Sequence, residues 1–528
     1  MSGGVIQLVA YGNQDIFLTT NPQITFFKVV YRRHTNFSTE MITQTFADNA
    51  DFGKRVTTVL SRDGDLIRNI YLVVVLPAIP QFFDEFGDVD QISKFAWVRR
   101  IGYGIINSIE IEIGDELIDK QYGDWMNIWN DLTVTTYNNI DKILGDVKEL
   151  TDFSNGKSSY ELYIPLKFWF NRITGLALPI VSLQYSSIRI NVELNNFDQC
   201  YVVTPTHVIP IDNDFVNFDD YEYIQQNVNG VISLARFIYF DISNRDLYIW
   251  RLSDNGFLSF TQTVTGTLTE LQQHNILYPP TDLLANQQYF ITGLTSKFNA
   301  MPQINAVETP YSNTSINFNN ISLQDAYLLV EYIYLDDEER VRFSQSKLEY
   351  LIEQVLFTGQ QTINGINQSF NLGYTQPCKE LVWVTQLSVA QETRVNDLFN
   401  YTNSLIRNTS GELIGTNLIL NETIYFNGQE RLSYRDSSYF SWAQPYQHHT
   451  NGVPEGVNVY SFSLFPENHQ PSGVANLSRL DNITLKINVN PLISFTYTAA
   501  LRVYCVVYNI LRVANGISGL VFSMDIKR

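Results

Sequence analysis

At 528 residues the chain is too long for one hydrophobic core, so two or more domains are expected. Its 45% hydrophobic and 13% aromatic residues, with only 17% charged, exclude a disordered chain. A formal net charge of −19 argues, for the surface as a whole, against a dedicated nucleic-acid binder, which needs a cationic face to meet phosphate. The three cysteines, Cys200, Cys378 and Cys505, are far apart and odd in number. They form no disulfide framework and no CxxC pair, which points to a reducing compartment, and Cys505 in its apolar run reads as a small core residue. The N-terminus lacks the basic and apolar regions of a signal peptide. The most apolar stretches, Ile70 to Leu76 and Leu501 to Leu511, are too short to span a bilayer. A soluble protein made in the cytosol is expected.

In chain order, residues 1–22 carry Gly3, Gly4, Gly12 and Pro22 and read as an arm. Strand signals follow at Ile24 to Tyr31, Glu40 to Phe46, Arg55 to Leu60, and Ile67 to Leu76, the last closed by Pro77. Ile109, Ile111 and Ile113 alternate with Glu110 and Glu112, the mark of a half-buried strand. Tyr122 to Leu132, with Trp125, Met126, Ile128 and Trp129, predicts a short helix. Leu348, Leu351, Ile352 and Val355 fit a helical period, yet Leu356-Phe-Thr reads as strand, so both readings stay open. Further strands are expected at Lys379 to Thr385, Thr423 to Phe426, and Val459 to Leu464 with Phe462 and Leu464 on one face.

A duplication runs through this pattern. Ile188-Arg-Ile-Asn-Val192 and Leu485-Lys-Ile-Asn-Val489 match, and the 26-residue step from Tyr163 to Arg189 recurs from Tyr460 to Lys486. Each copy ends in a long apolar strand, Ala326 to Leu335 and Ala500 to Leu511. In the first copy 134 residues separate Val192 from Ala326, against 11 between Val489 and Ala500 in the second. The excess marks a polar insertion over about 200–320, with Pro279-Pro280 inside and strand-like pieces at Arg236 to Asp241 and Asp246 to Arg251. A folded surface elaboration is expected there. The fold class is mainly β, in two packed units.

No catalytic constellation emerges, with no P-loop, GxSxG, HExxH or HRD-type set. The sequence assigns no catalytic, cofactor-binding or metal residue. Gly102-Tyr-Gly104 is too short to cradle phosphate and reads as a bend or bulge. Neighbouring His448 and His449 point to opposite faces of an extended segment, which favours packing or hydrogen bonding over a metal site. The acidic run Asp336 to Glu339 reads as a solvated turn, and Tyr31-Arg-Arg-His34 as a solvated strand end or salt-bridge set. Asn-x-Ser/Thr sequons, among them Asn313 and Asn400, arise by chance in an Asn-rich chain.

Several segments resemble, in the same order, the major capsid proteins of nucleocytoplasmic large DNA viruses, as in mimivirus, phycodnavirus and iridovirus relatives. They are Gln7-Leu-Val-Ala-Tyr-Gly-Asn-Gln-Asp15, Asn21 to Phe37, Ile118-Asp-Lys-Gln-Tyr-Gly-Asp-Trp-Met126, and Phe168-Trp-Phe-Asn-Arg172 with Gly175-Leu-Ala-Leu-Pro179. Glu349-Tyr-Leu-Ile-Glu-Gln354, Pro471-Ser-Gly473 and Asn476-Leu-Ser-Arg479 complete the set, and the 200–320 segment stands outside it. The resemblance implies two consecutive eight-stranded jelly-roll β-sandwiches, a double jelly roll with a large loop insertion in the first. The domains are then an N-terminal arm at 1–22, a first unit at 23–338 and a second at 339–528.

The implied function is that of a non-enzymatic structural protein in the virion, needing no cofactor. Its partners would be itself as a homotrimeric, pseudo-hexagonal capsomer, neighbouring capsomers, and minor capsid, cement and penton proteins. The shell would be icosahedral, lie over an internal membrane and be assembled in the host cytoplasm, with no direct nucleic-acid contact. Two alternatives differ in class. A carbohydrate- or receptor-binding, spike-like sandwich would use aromatic-rich loops. A glycan-active enzyme would need two carboxylates facing across a cleft, with Glu110, Glu112 and Asp336 to Glu339 as its candidates.

Overall fold

The computed structural model describes residues 2–10, 12, 15–84, 86–134, 139–259, 287–312, 316–318, 320–408, 411–493 and 498–522. Pro279-Pro280 and the Asn313 sequon lie outside the described residues. Eight strands build the first sandwich: β1 (Phe37–Thr45), β2 (Arg55–Val59), β3 (Leu66–Leu76), β4 (Ile106–Ile113), β5 (Glu116–Tyr122), β6 (Tyr160–Pro165), β7 (Ile188–Leu194) and β8 (Asp325–Leu335). They pair antiparallel in the orders β1-β8-β3-β6 and β2-β7-β4-β5. The alternating isoleucines explain the layering. Ile109, Ile111 and Ile113 sit opposite Val192, Ile190 and Ile188. This row faces Ile70, Leu72 and Val74 of the other sheet in one core.

The second sandwich repeats the plan with β9 (Leu348–Phe357), β10 (Asn367–Asn371), β11 (Pro377–Leu387), β12 (Ile419–Phe426), β13 (Gln429–Asp436), β14 (Val457–Ser461), β15 (Ile483–Val489) and β16 (Ala499–Ala514). Its orders, β9-β16-β11-β14 and β10-β15-β12-β13, are those of the first sandwich with eight added to each label. The matching Ile-Asn-Val segments fall on the equivalent strands β7 and β15. Both sandwiches are therefore jelly rolls, and the chain is a double jelly roll.

The antiparallel pairing sends alternate connections to opposite ends. In the first unit the three longest connections, β3–β4, β5–β6 and β7–β8, gather at one end. The insertion is the β7–β8 connection. It folds into a seven-stranded sheet that includes the Val231–Asp241 and Asp246–Arg251 hairpin, with its own core of Ile209, Ile224, Phe237, Leu247 and Ile249.

Four local expectations are corrected and one open reading is decided. Ile24 to Tyr31 forms no strand; it pairs with no sheet edge, and its side chains stand in solvent, Phe27 at 98% exposure. Helical periodicity over 348–355 gives way to β9, which is covered on both faces and so shows no clean alternation. Asp336 to Glu339 is the start of a helix rather than a turn, with the Asp336 carboxylate accepting the Glu339 N–H at 3.0 Å, and Gly102 to Gly104 close a short helix, Ile101–Gly104. Strand β14 stops at Ser461, which leaves Leu464 exposed.

Candidate functional site

The two sandwiches meet along a seam built by the helix Gly123–Thr133, the first segment of the β5–β6 connection. Gly123 opens it because a Cβ there would lie 2.3 Å from the Tyr103 carbonyl oxygen. Helical spacing then divides the side chains between two cores. Met126 faces the first sandwich, while Trp125, Ile128, Trp129 and Leu132 lie on Val355, Val382, Val384, Val457, Val459, Tyr504 and Val506 of the second. These partners form the outer face of β9-β16-β11-β14, so that sheet is buried on both sides. The Trp125 ring lies 5.6 Å from Trp129 and 5.5 Å from Tyr504. Alongside, the Gln354 side chain donates to the Ile118 carbonyl and the Val355 N–H donates to Asp119 at 3.1 Å. Burial pushes the Asp119 carboxyl up to about 6, against the hydrogen bonds from Val355 and Gln121.

Charged groups pin the register of this apolar contact. Arg172 donates to Glu353 at 2.8 Å and stacks over Trp129 at 4.3 Å, while the fully buried Lys379 donates to the other oxygen of Glu353. Arg502 bonds Asp124 across the seam and Gln386 within its own unit. Within the second unit alone, His449 is clamped between Glu380 at 3.0 Å and Glu467 at 3.1 Å. Burial disfavours its charge, but the two carboxylates outweigh that and raise its pKa to about 9. Across the seam, the cost of desolvating such charges offsets much of their mutual attraction, so the apolar contact supplies the bulk of its stability.

The sequence candidates are scattered. Glu110 is tied to Arg55 at 2.6 Å and Lys120 at 2.7 Å, and Glu112 accepts from Asn191 at 2.8 Å, so neither faces a second carboxylate across a cleft. At the loop-rich end a 500 Å³ hollow between the units holds Asp146 and Asp397, each spent on an arginine, Arg99 at 3.1 Å and Arg407 at 2.5 Å. His448 contacts the Leu464 carbonyl, away from His449. Tyr31 to His34 lie in the exposed segment before β1, and the Asn400 sequon is buried. Among the described residues no His, Cys, Asp or Glu group is arranged to hold a metal, and no helix is long and apolar enough to cross a membrane.

One feature escaped sequence reasoning. After β13, the equivalent of β5, the continuous helical segments Tyr439–Ala443 and Gln444–His448 repeat the seam helix. Phe440 packs inward on Trp383 at 5.3 Å, as Met126 packs into the first core. Trp442 and Tyr446, spaced like Trp125 and Trp129, are 62% and 87% exposed. The first sandwich also has a half-exposed counterpart to the covered sheet. On the outer face of β1-β8-β3-β6, Tyr71 lies between Pro165 and Leu329, and Val73 between Tyr163 and Tyr327. Of these residues only Val73 is fully buried. The shared aromatic spacing one turn into each helix was the available signal.

Two family models match in succession, the major capsid protein N-terminus over residues 25–241 and the large eukaryotic DNA virus major capsid protein over 339–519. Probable capsid protein 4 of Acanthamoeba polyphaga mimivirus is 41% identical, across 99% of this chain and 100% of that protein. The major capsid protein of Phaeocystis pouchetii virus is 32% identical over the same shares, 99% and 100%. A solved structure of the PBCV-1 virus capsid shares the fold, with a TM-score of 0.60 and 23% identity over 94% of this chain and 100% of that one.

Proposed function

Because this chain belongs to the major capsid proteins of large eukaryotic DNA viruses, we propose that it works as a homotrimer whose two sandwiches alternate around the axis in a pseudo-hexagonal capsomer. The family's role is structural, so the protein is a shell component and not an enzyme. The observation that carries the trimer is the half-used seam. Within one subunit, the helix after β5 covers the outer sheet of the second sandwich. The equivalent helix after β13 presents Trp442 and Tyr446 to solvent, and the equivalent sheet of the first sandwich presents Tyr71, Tyr163, Tyr327 and Leu329. Laying the second helix of one copy on the first sandwich of the next reuses the same geometry. Three such steps close a ring of six sandwiches and leave no open end.

The domain division at 1–22, 23–338 and 339–528 belongs to this proposal, as do tiling with neighbouring capsomers into an icosahedral shell and contacts with minor capsid, cement and penton proteins. So do a shell over an internal membrane and assembly in the host cytoplasm. The charge of −19 supports a shell that does not contact nucleic acid directly. Mass photometry of the purified protein tests the trimer. A species near three times 60.7 kDa is expected, with Trp442→Asp/Tyr446→Asp falling to 60.7 kDa while keeping its β-rich circular dichroism spectrum. A double variant that remains fully trimeric sinks this interface.

A further inference from the structure

We propose that Cys378 and Cys505 form an oxidisable pair that closes into a disulfide through the core of the second sandwich. Both are free, fully buried thiols on the adjacent strands β11 and β16, with their Sγ atoms 3.1 Å apart. Cys378 sits opposite Val507, two residues from Cys505, so strand alternation points both side chains to the same inner face. The ladder register shifts between Cys378 and Glu380, and the Cys378 thiol donates to the Glu380 carbonyl at 3.3 Å. A disulfide needs the sulfurs to approach by only about 1 Å more. Leu381, Trp383, Leu501 and Val503 share this core, and Cys200 lies in the core of the other sandwich, so one pairing alone is open.

The chemistry requires a small oxidant of the hydroperoxide class. One thiol sulfur gives an electron pair to a peroxide oxygen, becoming a sulfenic acid with release of water. The second sulfur then displaces hydroxide from the sulfenic sulfur, forming the S–S bond, and the hydroxide leaves as water with the second thiol proton. Two protein sulfurs lose two electrons and two protons, and hydrogen peroxide ends as two waters. Burial raises the Cys378 thiol pKa well above its ordinary range and keeps thiolate scarce, so the step is slow in the folded protein. A reducing cytosol leaves the pair open. A shell that persists in oxidising surroundings closes it. The crosslink spans 127 residues of sequence, a long loop whose closure in the unfolded chain confers large stabilisation.

Full-length assembled protein is to be treated with dilute hydrogen peroxide, then alkylated under denaturing conditions, digested without reductant and mapped by mass spectrometry. A linked Cys378–Cys505 peptide is expected, Cys200 being recovered alkylated, together with a reductant-reversible rise in Tm of roughly 5–10 °C. Cys505→Ser and Cys505→Ala should show neither the peptide nor the rise. The peptide map of the unaltered chain decides the matter even if both variants fold poorly. Recovery of Cys378 and Cys505 as alkylated thiols or as sulfinic acids, with no linked peptide after prolonged exposure, overturns the proposal.

Discussion

The sheets β1-β8-β3-β6 and β9-β16-β11-β14 have the same strand order and the same place in their sandwiches, yet their burial differs. Strand β16 is buried at every position from Ala499 to Asn509, whereas its counterpart β8 alternates between buried and half-exposed residues. Topology therefore does not set how many faces of a sheet are dry. A neighbour does, and here the neighbour of the second sheet is a helix on the β5–β6 connection of the first sandwich. The same duplication that builds two like sandwiches leaves one of their two like surfaces without a helix over it within the subunit.

The largest effect should come from emptying the used seam. Trp125→Ala should destabilise the chain by about 3–5 kcal/mol in chemical denaturation, the cost of deleting a buried aromatic. A loss below about 1 kcal/mol would mean the helix does not hold the second sheet.

Within the second sandwich, Ile487→Ala should cost about 2–5 kcal/mol, since Ile487 is buried between the sheets. Asn488→Ala, on the alternate face of β15, should cost only about 0.5 kcal/mol. Equal losses would place the register one residue out.

The clamp at His449 should give a pH signature. The folded protein holds the imidazolium proton more tightly than the unfolded chain, with a pKa near 9 against 6.5. Its contribution, about 3 kcal/mol, is therefore complete below pH 6.5 and fades as pH climbs through 9. Stability measured between pH 6 and 9.5 should fall in the native chain with a component that His449→Gln lacks; parallel curves would refute the clamp.

The smallest effect on folding, and the sharpest contrast with Trp125, belongs to Trp442. At 62% exposure, Trp442→Ala should change the stability of the isolated subunit by no more than about 0.5 kcal/mol while weakening trimer association in sedimentation. A loss of several kcal/mol in the subunit would assign Trp442 to the internal core instead.

Much of this architecture was legible in local pattern. Alternation at Ile109 to Ile113 and at Ile483 to Val489 identifies half-buried strands because a period of two needs only one wet face and one dry face. The repeat of Ile-Asn-Val at matched spacing exposed the duplication, and the interval between Val192 and Ala326 exposed the insertion. Where both faces are dry the period vanishes, and 348–355 could not be assigned. Ile24 to Tyr31 shows the converse, since strand-forming residues make no strand without an edge to pair with.

Composition, alternation and spacing thus determined the β class, the two-fold repeat and the place of the insertion, all properties set by residues near one another in the chain. Pairing across long separations was decided by the fold. Lys379 is an ordinary lysine in the sequence, and it is fully buried because Glu353, the Asn468 carbonyl and the Tyr508 ring meet its ammonium in the fold. Cys378 and Cys505 are 127 residues apart and meet because β11 and β16 are neighbours. Trp125 and Trp442 look alike in sequence, and one is dry and the other wet because a helix has one sheet within its reach. Burial and partnership depend on three-dimensional neighbours, and a linear pattern carries no information about those until the strands are in order.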